Sequence, residues 1–159
     1  MNPKEESYQL FVKDVFVSDD LKDLAKLIDQ VIDLVYVEDR KTLIEKLSGK
    51  LPQDFFDIIS SLFEKKILSD NFKENQNYFI SLKSYLTNIP TVGLTIAFNP
   101  SVEFAKTLSL WFEENLGKKV VCDLIVREEI IAGVLIEYRG KYKDYSKAKF
   151  IPAVTLKLK

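Results

Sequence analysis

The chain has 159 residues, 47% of them hydrophobic and 30% charged, which fits one folded domain or two small ones. It has no histidine and a single cysteine, Cys122, which excludes Ser-His-Asp and Cys-His catalysis, an internal disulfide, and zinc sites built on histidine or paired cysteines. The formal net charge of −1 is unevenly spread: residues 1–38 hold four lysines against nine acids, and residues 139–159 hold seven basic residues against one acid.

The opening residues, Met1 to Glu6, lack a basic stretch followed by an apolar one, so no secretory signal is predicted. No apolar run approaches the roughly 20 residues that span a bilayer. Up to residue 19 the apolar positions Tyr8, Leu10, Phe11, Val12, Val15, Phe16 and Val17 fit neither helical nor strand period. From Asp19 or Asp20, Leu21, Leu24, Ala25, Ile28, Val31, Ile32 and Val35 recur at steps of three and four, which predicts an amphipathic helix with Asp20 as its cap. A short helix is predicted over Arg40–Leu47, stopping at Ser48-Gly49. Pro52 sits as a first helical residue before the stripe Phe55, Ile58, Ile59, Leu62, Phe63. A further helix runs from about Asn71 to Asn88 and ends at Ile89-Pro90, because the residue before proline disfavours the α region.

Beyond Pro90 the period becomes two. Val92, Leu94, Ile96 and Phe98 predict a strand. Asn99-Pro100 reads as a cap plus first-turn proline, Ala105, Leu108, Trp111 and Phe112 as the inner face of a helix, and Gly117 as its left-handed exit. Strands follow over Lys119–Val126 and about Ala132–Tyr138, and Ala153–Lys159 alternates again. The predicted class is α+β: a helical bundle over residues 1–89, then a small α/β domain over 90–159 in the order strand, helix, strand, strand.

Paired carboxylates are the remaining catalytic option, and Glu113-Glu114 and Glu128-Glu129 are the adjacent pairs of the second half. Neighbouring acids on a helix or turn point to different sides, so both pairs read as solvated surface. Asp19, Asp20 and Asp23 lack the glycine and terminal glutamate of a calcium loop and read as acids at a helix start. Cys122 alternates with valines and reads as core, as does Trp111 on its inner stripe. Arg139, Lys141, Lys143, Lys147 and Lys149, interleaved with Tyr138, Tyr142, Tyr145 and Phe150, fit either a lysine-rich edge or a surface that holds phosphates and stacks bases. No metal ligand set and no cofactor loop is predicted.

The stretch from Gly117-Lys118-Lys119-Val120 through Ala132-Gly133-Val134-Leu135-Ile136 to Asp144-Tyr145-Ser146 resembles the carboxy-terminal signature of the ATP synthase delta subunit and oligomycin-sensitivity-conferring protein family. The matching motif positions are Ala132, Gly133, Val134, Asp144 and Ser146, with Tyr145 where the family has glycine. The resemblance runs upstream through Asp39–Leu47, Phe55–Leu68 and residues 71–88, covering roughly 39–150. Ahead of it stand too few residues for three full helices, which implies a reduced bundle.

The resemblance implies a non-catalytic stator subunit of a proton- or sodium-driven rotary ATP synthase, needing no cofactor. It would lie peripheral to the membrane on its cytoplasmic face. In that family the bundle grips amino-terminal helices of the head's alpha subunits, and the carboxy-terminal domain meets the b-subunit stalk. The residues this points to are Phe55, Ile59, Phe63, Phe79 and Leu82 for a partner helix, and Lys141, Lys143, Lys147 and Lys149 for an acidic stalk. The five apolar residues equally fit the bundle's own core, and the pattern does not divide one stripe between the two uses. An E-type stalk subunit of archaeal or vacuolar ATPases, another helix-binding adaptor, and a single-stranded nucleic-acid binder are the alternatives.

Overall fold

The computed structural model describes residues 3–37, 41–130 and 133–145. Contacts group these into two compact units. The first runs to Ile89 except for Phe16–Ser18; the second consists of Phe16–Ser18 and the residues from Pro90 on.

The helical unit contains five helices: α1 (Pro3–Val12), α2 (Ser18–Tyr36), α3 (Leu43–Leu47), α4 (Gln53–Glu64) and α5 (Phe72–Thr87). Helix α1 has proline at its first position and Glu5 and Glu6 in its first turn, where a fixed φ and a negative charge suit the helix start. It buries Ser7, Tyr8, Phe11 and Val12, one face at helical spacing. Helix α2 begins two residues before the expected cap Asp20, which lies with Asp19 in the first turn, and buries Leu24, Ile28, Val31 and Val35. Helix α3 starts at Leu43 instead of Arg40. The reason is a capping box, in which the Thr42 side chain accepts from the Glu45 amide and the Glu45 carboxylate accepts from the Thr42 amide.

Pro52 stands just ahead of α4, which buries Phe55, Ile59 and Leu62. Its exit turns through Lys66 at φ 58, and the amides of Ile67 and Leu68 both donate to the Leu62 carbonyl. Asn71 caps α5 by accepting from the amides of Lys73 and Glu74. The core is built from Ile28, Val31, Leu43, Leu47, Ile59, Leu62, Phe79 and Leu82, all at most 1% exposed. Two buried polar groups are satisfied within it. Asn75 bonds both the amide and the carbonyl of Ser69, and the Ser7 and Tyr78 hydroxyls hydrogen-bond at 2.6 Å.

The sheet unit contains β1 (Thr91–Ile96), α6 (Val102–Leu116), β2 (Val121–Val126), β3 (Val134–Tyr138) and β4 (Lys141–Asp144), in the strand order β2-β1-β3-β4. Strands β1 and β2 are parallel across the α6 crossover, and β1–β3 and β3–β4 are antiparallel. Phe16–Val17 lies beside β2 as a further short parallel partner through a Val17–Cys122 bridge.

Small residues let α6 approach the sheet: Ala105 and Ser109 are buried, and the Ser109 hydroxyl donates to the Val120 carbonyl at 3.0 Å. Val92, Leu94, Val120 and Cys122 form the centre of this core, with Leu108, Phe112, Leu124, Val134, Ile136 and Tyr138 packed on it. Three expectations are corrected here, and one turn is added. The α6 cap is Ser101, whose hydroxyl accepts from the Phe104 amide, so Asn99-Pro100 lies ahead of the helix. Trp111 is 53% exposed, because Leu108 and Phe112 occupy the line facing the sheet and Trp111 lies one residue round the helix, edge-on to Phe112. Strand β2 starts at Val121 rather than Lys119, and Val126 at its far end is 43% exposed. The pair Arg139-Gly140, with φ of 51 and 72, closes β3 and β4 as a two-residue hairpin of the type with both central residues at positive φ. The expected strand at Ala153–Lys159 lies outside the described residues.

Candidate partner-docking surfaces

An open groove of about 660 Å³ runs along the helical unit between α1, α2 and α4. Phe11 of α1 and Phe55 of α4 make its floor, their ring centroids 5.4 Å apart. Leu10, at 37% exposure, and the half-buried Leu27 and Ile58 complete its apolar lining. Charges confine themselves to the rim: Lys13, Asp14, Asp54, Asp57 and Lys65. Asp57 is oriented by the Gln53 side-chain amide at 2.6 Å. Leu10 and Phe11 point outward and inward from adjacent positions of the same helix. An apolar trough with a charged rim suits an amphipathic helix, which lays its own stripe on the floor and its polar flanks on the rim.

Of the five apolar residues expected to receive a partner, only Phe55 lines this groove. Ile59, Phe79 and Leu82 are 0% exposed and belong to the core of the helical unit, and Phe63 is half-buried outside the groove lining. Phe79 and Leu82 lie on the buried face of α5, where their stripe is used in internal packing. Other apolar side chains lining the groove are Leu10, Phe11, Leu27 and Ile58. Leu10 and Phe11 fell in the stretch whose period could not be read, and Ile58 was legible only as one more member of the α4 stripe.

In the sheet unit Lys141 and Lys143 are exposed on β4, opposite Tyr138 and Ile136, while Lys147 and Lys149 lie outside the described residues. Of the motif positions, Gly133 takes φ 106 just before β3, Val134 opens β3 opposite Ile96, and half-buried Asp144 closes β4 opposite Leu135. Ala132 and Ser146 lie outside the described residues. A second apolar surface was not foreseen. Phe98, Phe104 and Trp111 are 50%, 37% and 53% exposed, and the rings of Phe98 and Phe104 meet edge to face at 5.3 Å. Phe104 and Trp111 are seven residues apart and so share one flank of α6.

The groups considered for chemistry are dispersed. Glu113 pairs with Lys119 at 3.3 Å, while Glu114, Glu128 and Glu129 are exposed. Asp19 and Asp23 pair with Lys22 and Lys26, each at 2.7 Å, and the Lys22 hydrogen bond holds the Asp19 carboxyl below the usual carboxylate range. No group of three metal-ligating side chains occurs among the described residues. Burial pushes the Cys122 thiol up to about 11 and the Tyr78 hydroxyl up to about 12. Both therefore stay protonated near neutrality.

This is an α+β chain with a helical unit that carries a largely apolar groove, and a four-stranded sheet unit. The family model of the ATP synthase delta (OSCP) subunit matches residues 6–152, and the chain belongs to that family. The match begins at residue 6, so it takes in α1 and α2, which lie ahead of the segments that carried the resemblance in the sequence. No curated protein matches the chain. The family is that of a peripheral-stalk subunit of ATP synthase, a non-catalytic structural part of the complex. Among the described residues no helix is long and apolar enough to cross a membrane.

Proposed function

We propose that the chain joins the catalytic head of a proton- or sodium-driven rotary ATP synthase to its b-subunit stalk, and that the groove between α1, α2 and α4 is where the head is held. The observation that carries this reading is the groove itself, with its aromatic floor of Phe11 and Phe55 and its charged rim. Its apolar lining, edged by exposed charged residues, suits one amphipathic helix from the amino terminus of an alpha subunit. On this reading residues 1–89 act as the head-binding domain and 90–159 as the stalk-binding domain. The stalk helices meet the exposed flank of α6 at Phe98, Phe104 and Trp111, with Lys141 and Lys143 toward acidic stalk residues. The protein sits at the cytoplasmic face of the membrane as a peripheral part of the complex.

The work is attachment. Holding the head against rotor torque requires slow dissociation, which comes from a few well-packed apolar anchors and not from bond making. The test is co-purification of the tagged chain with alpha and b subunits from its own source at moderate salt, beside the variant Ile58→Lys. The native chain is expected to recover both subunits, and the variant b alone. Recovery of neither by the native chain, or undiminished alpha recovery by the variant, would overturn the reading.

A further inference from the structure

The connection between α1 and α2 is a structural element of the sheet unit. After α1 the Val15 amide closes a turn onto the Val12 carbonyl at 3.2 Å, and the chain then extends through Phe16 and Val17 before α2 begins at Ser18. Along that extended stretch the Phe16 carbonyl accepts from the Cys122 amide at 2.9 Å, and Val17 bridges Cys122 in parallel. The Cys122 amide is turned away from β1; the neighbouring Val121 amide is the one that reaches across to the Pro90 carbonyl, at 3.1 Å. Backbone polarity in a sheet alternates in this way, so Cys122 presents its donor to the outer edge of β2 and Phe16 is what satisfies it.

The Phe16 ring is held as well. The Lys119 ammonium lies 5.0 Å from its centroid and that of Lys106 lies 5.4 Å away, while Lys119 is itself fixed by Glu113 and its side chain is only 6% exposed. Burial along β2 follows the pairing. Val121 and Cys122, where Phe16 and Val17 lie, are 0% exposed, whereas Ile125 and Val126 at the other end are each 43% exposed.

We propose that Phe16–Val17 is a strap, a strand-addition contact that ties the folding of the sheet unit to that of the helical unit. The helices on either side of it belong to the helical unit, so the chain passes between the units at Val15–Phe16, at Ser18–Asp19 and at Ile89–Pro90. A single crossing would leave each unit free to unfold alone. A strap seated on β2 requires that either the strand contact or both helix ends give way first. For a stalk subunit the consequence, which rests on the function proposed above, is that load entering one unit reaches the other through three points of the chain.

The test needs no partner and so fails or succeeds independently of the stalk reading. Trp111 is the single tryptophan and lies in the sheet unit, so its fluorescence reports that unit, while far-ultraviolet circular dichroism reports mostly the five helices of the other. In urea the two signals of the native chain are expected to change together. In Phe16→Ala and Val17→Asp they are expected to separate, with the tryptophan transition moving to lower urea. Amide exchange is the second measurement: in the native chain Cys122 exchanges at least a hundredfold slower than an unstructured amide, and in the variants at least tenfold faster than that. Non-coincident transitions in the native chain, coincident ones in both variants, or a Cys122 amide that exchanges freely in the native chain would each overturn the proposal.

Discussion

Truncating one residue of the core and one of the groove separates packing from docking. Phe79 is 0% exposed and meets Tyr78 edge to face at 5.3 Å. Phe79→Ala removes a ring from a site that surrounding helices cannot refill, at a cost of about 3–5 kcal/mol. For a chain of this size each kcal/mol moves Tm by roughly 2–4 °C, so a fall of about 6–20 °C is expected. Leu10, 37% exposed in the groove lining, has less to lose. Full burial of a leucine is worth about 1.5–3 kcal/mol, and with more than a third of it in water Leu10→Ala should cost about 1–2 kcal/mol. Binding should show the reverse order. With a fluorescent peptide of the alpha subunit's amino-terminal helix, followed by anisotropy at 15 °C, Leu10→Ala is expected to weaken binding roughly tenfold, the equivalent of about 1.4 kcal/mol. Phe79→Ala should leave it within about twofold while the protein remains folded. Equal losses of Tm in the two variants, or unchanged peptide affinity in Leu10→Ala, would refute the division of the apolar stripe drawn from burial.

Three further outcomes follow from individual groups. Tyr78 is buried and its hydroxyl is raised from 10.0 to about 12, so the fold favours the protonated phenol. The associated stability is complete below about pH 10 and is lost as pH rises through 12; Tyr78→Phe should flatten that part of the stability curve measured by urea unfolding between pH 9 and 12. The Cys122 thiol, raised from 9.0 to about 11 by burial, should react with a thiol reagent at pH 8 only as fast as the sheet unit opens, and at full speed in urea. Gly117 ends α6 at φ 65 with nothing within 4 Å of an added Cβ, so Gly117→Ala should cost only the backbone term, about 1–2 kcal/mol by thermal unfolding.

Where one element obeys one period and buries one face, the sequence is enough. The α2 residues Leu24, Ile28, Val31 and Val35 are buried as their spacing requires, and Val92, Leu94 and Ile96 alternate inward along β1. Residues 1–19 resisted because two rules meet there without a break. Tyr8, Phe11 and Val12 follow the helical period of α1, then Phe16 and Val17 follow the extended backbone of the strap, and no proline or glycine marks the change. The hairpin at Arg139-Gly140 hid for a related reason: Arg139 takes positive φ, a conformation its type does not announce.

The groove shows the same limit at the level of function. The α4 stripe Phe55, Ile58, Ile59, Leu62 could be read from spacing, but Ile59 and Leu62 are wholly buried while Phe55 and Ile58 line the groove. A helix buries an arc, and neighbours decide which part of the arc is core and which part is left open.

What the sequence determined by itself is therefore local and chemical: the lack of histidine, the lone cysteine, the helices and strands with a clean period, and the glycine-apolar motif at Gly133-Val134 that carried the family resemblance. These depend on residue types and on neighbours three or four positions away. The tertiary structure decided which apolar side chains are buried and which line the groove, that Trp111 is exposed, and that the residues between α1 and α2 pair with a strand more than 100 positions further on. Those outcomes depend on which surfaces compete for the same burial, and that competition exists only once the chain is folded.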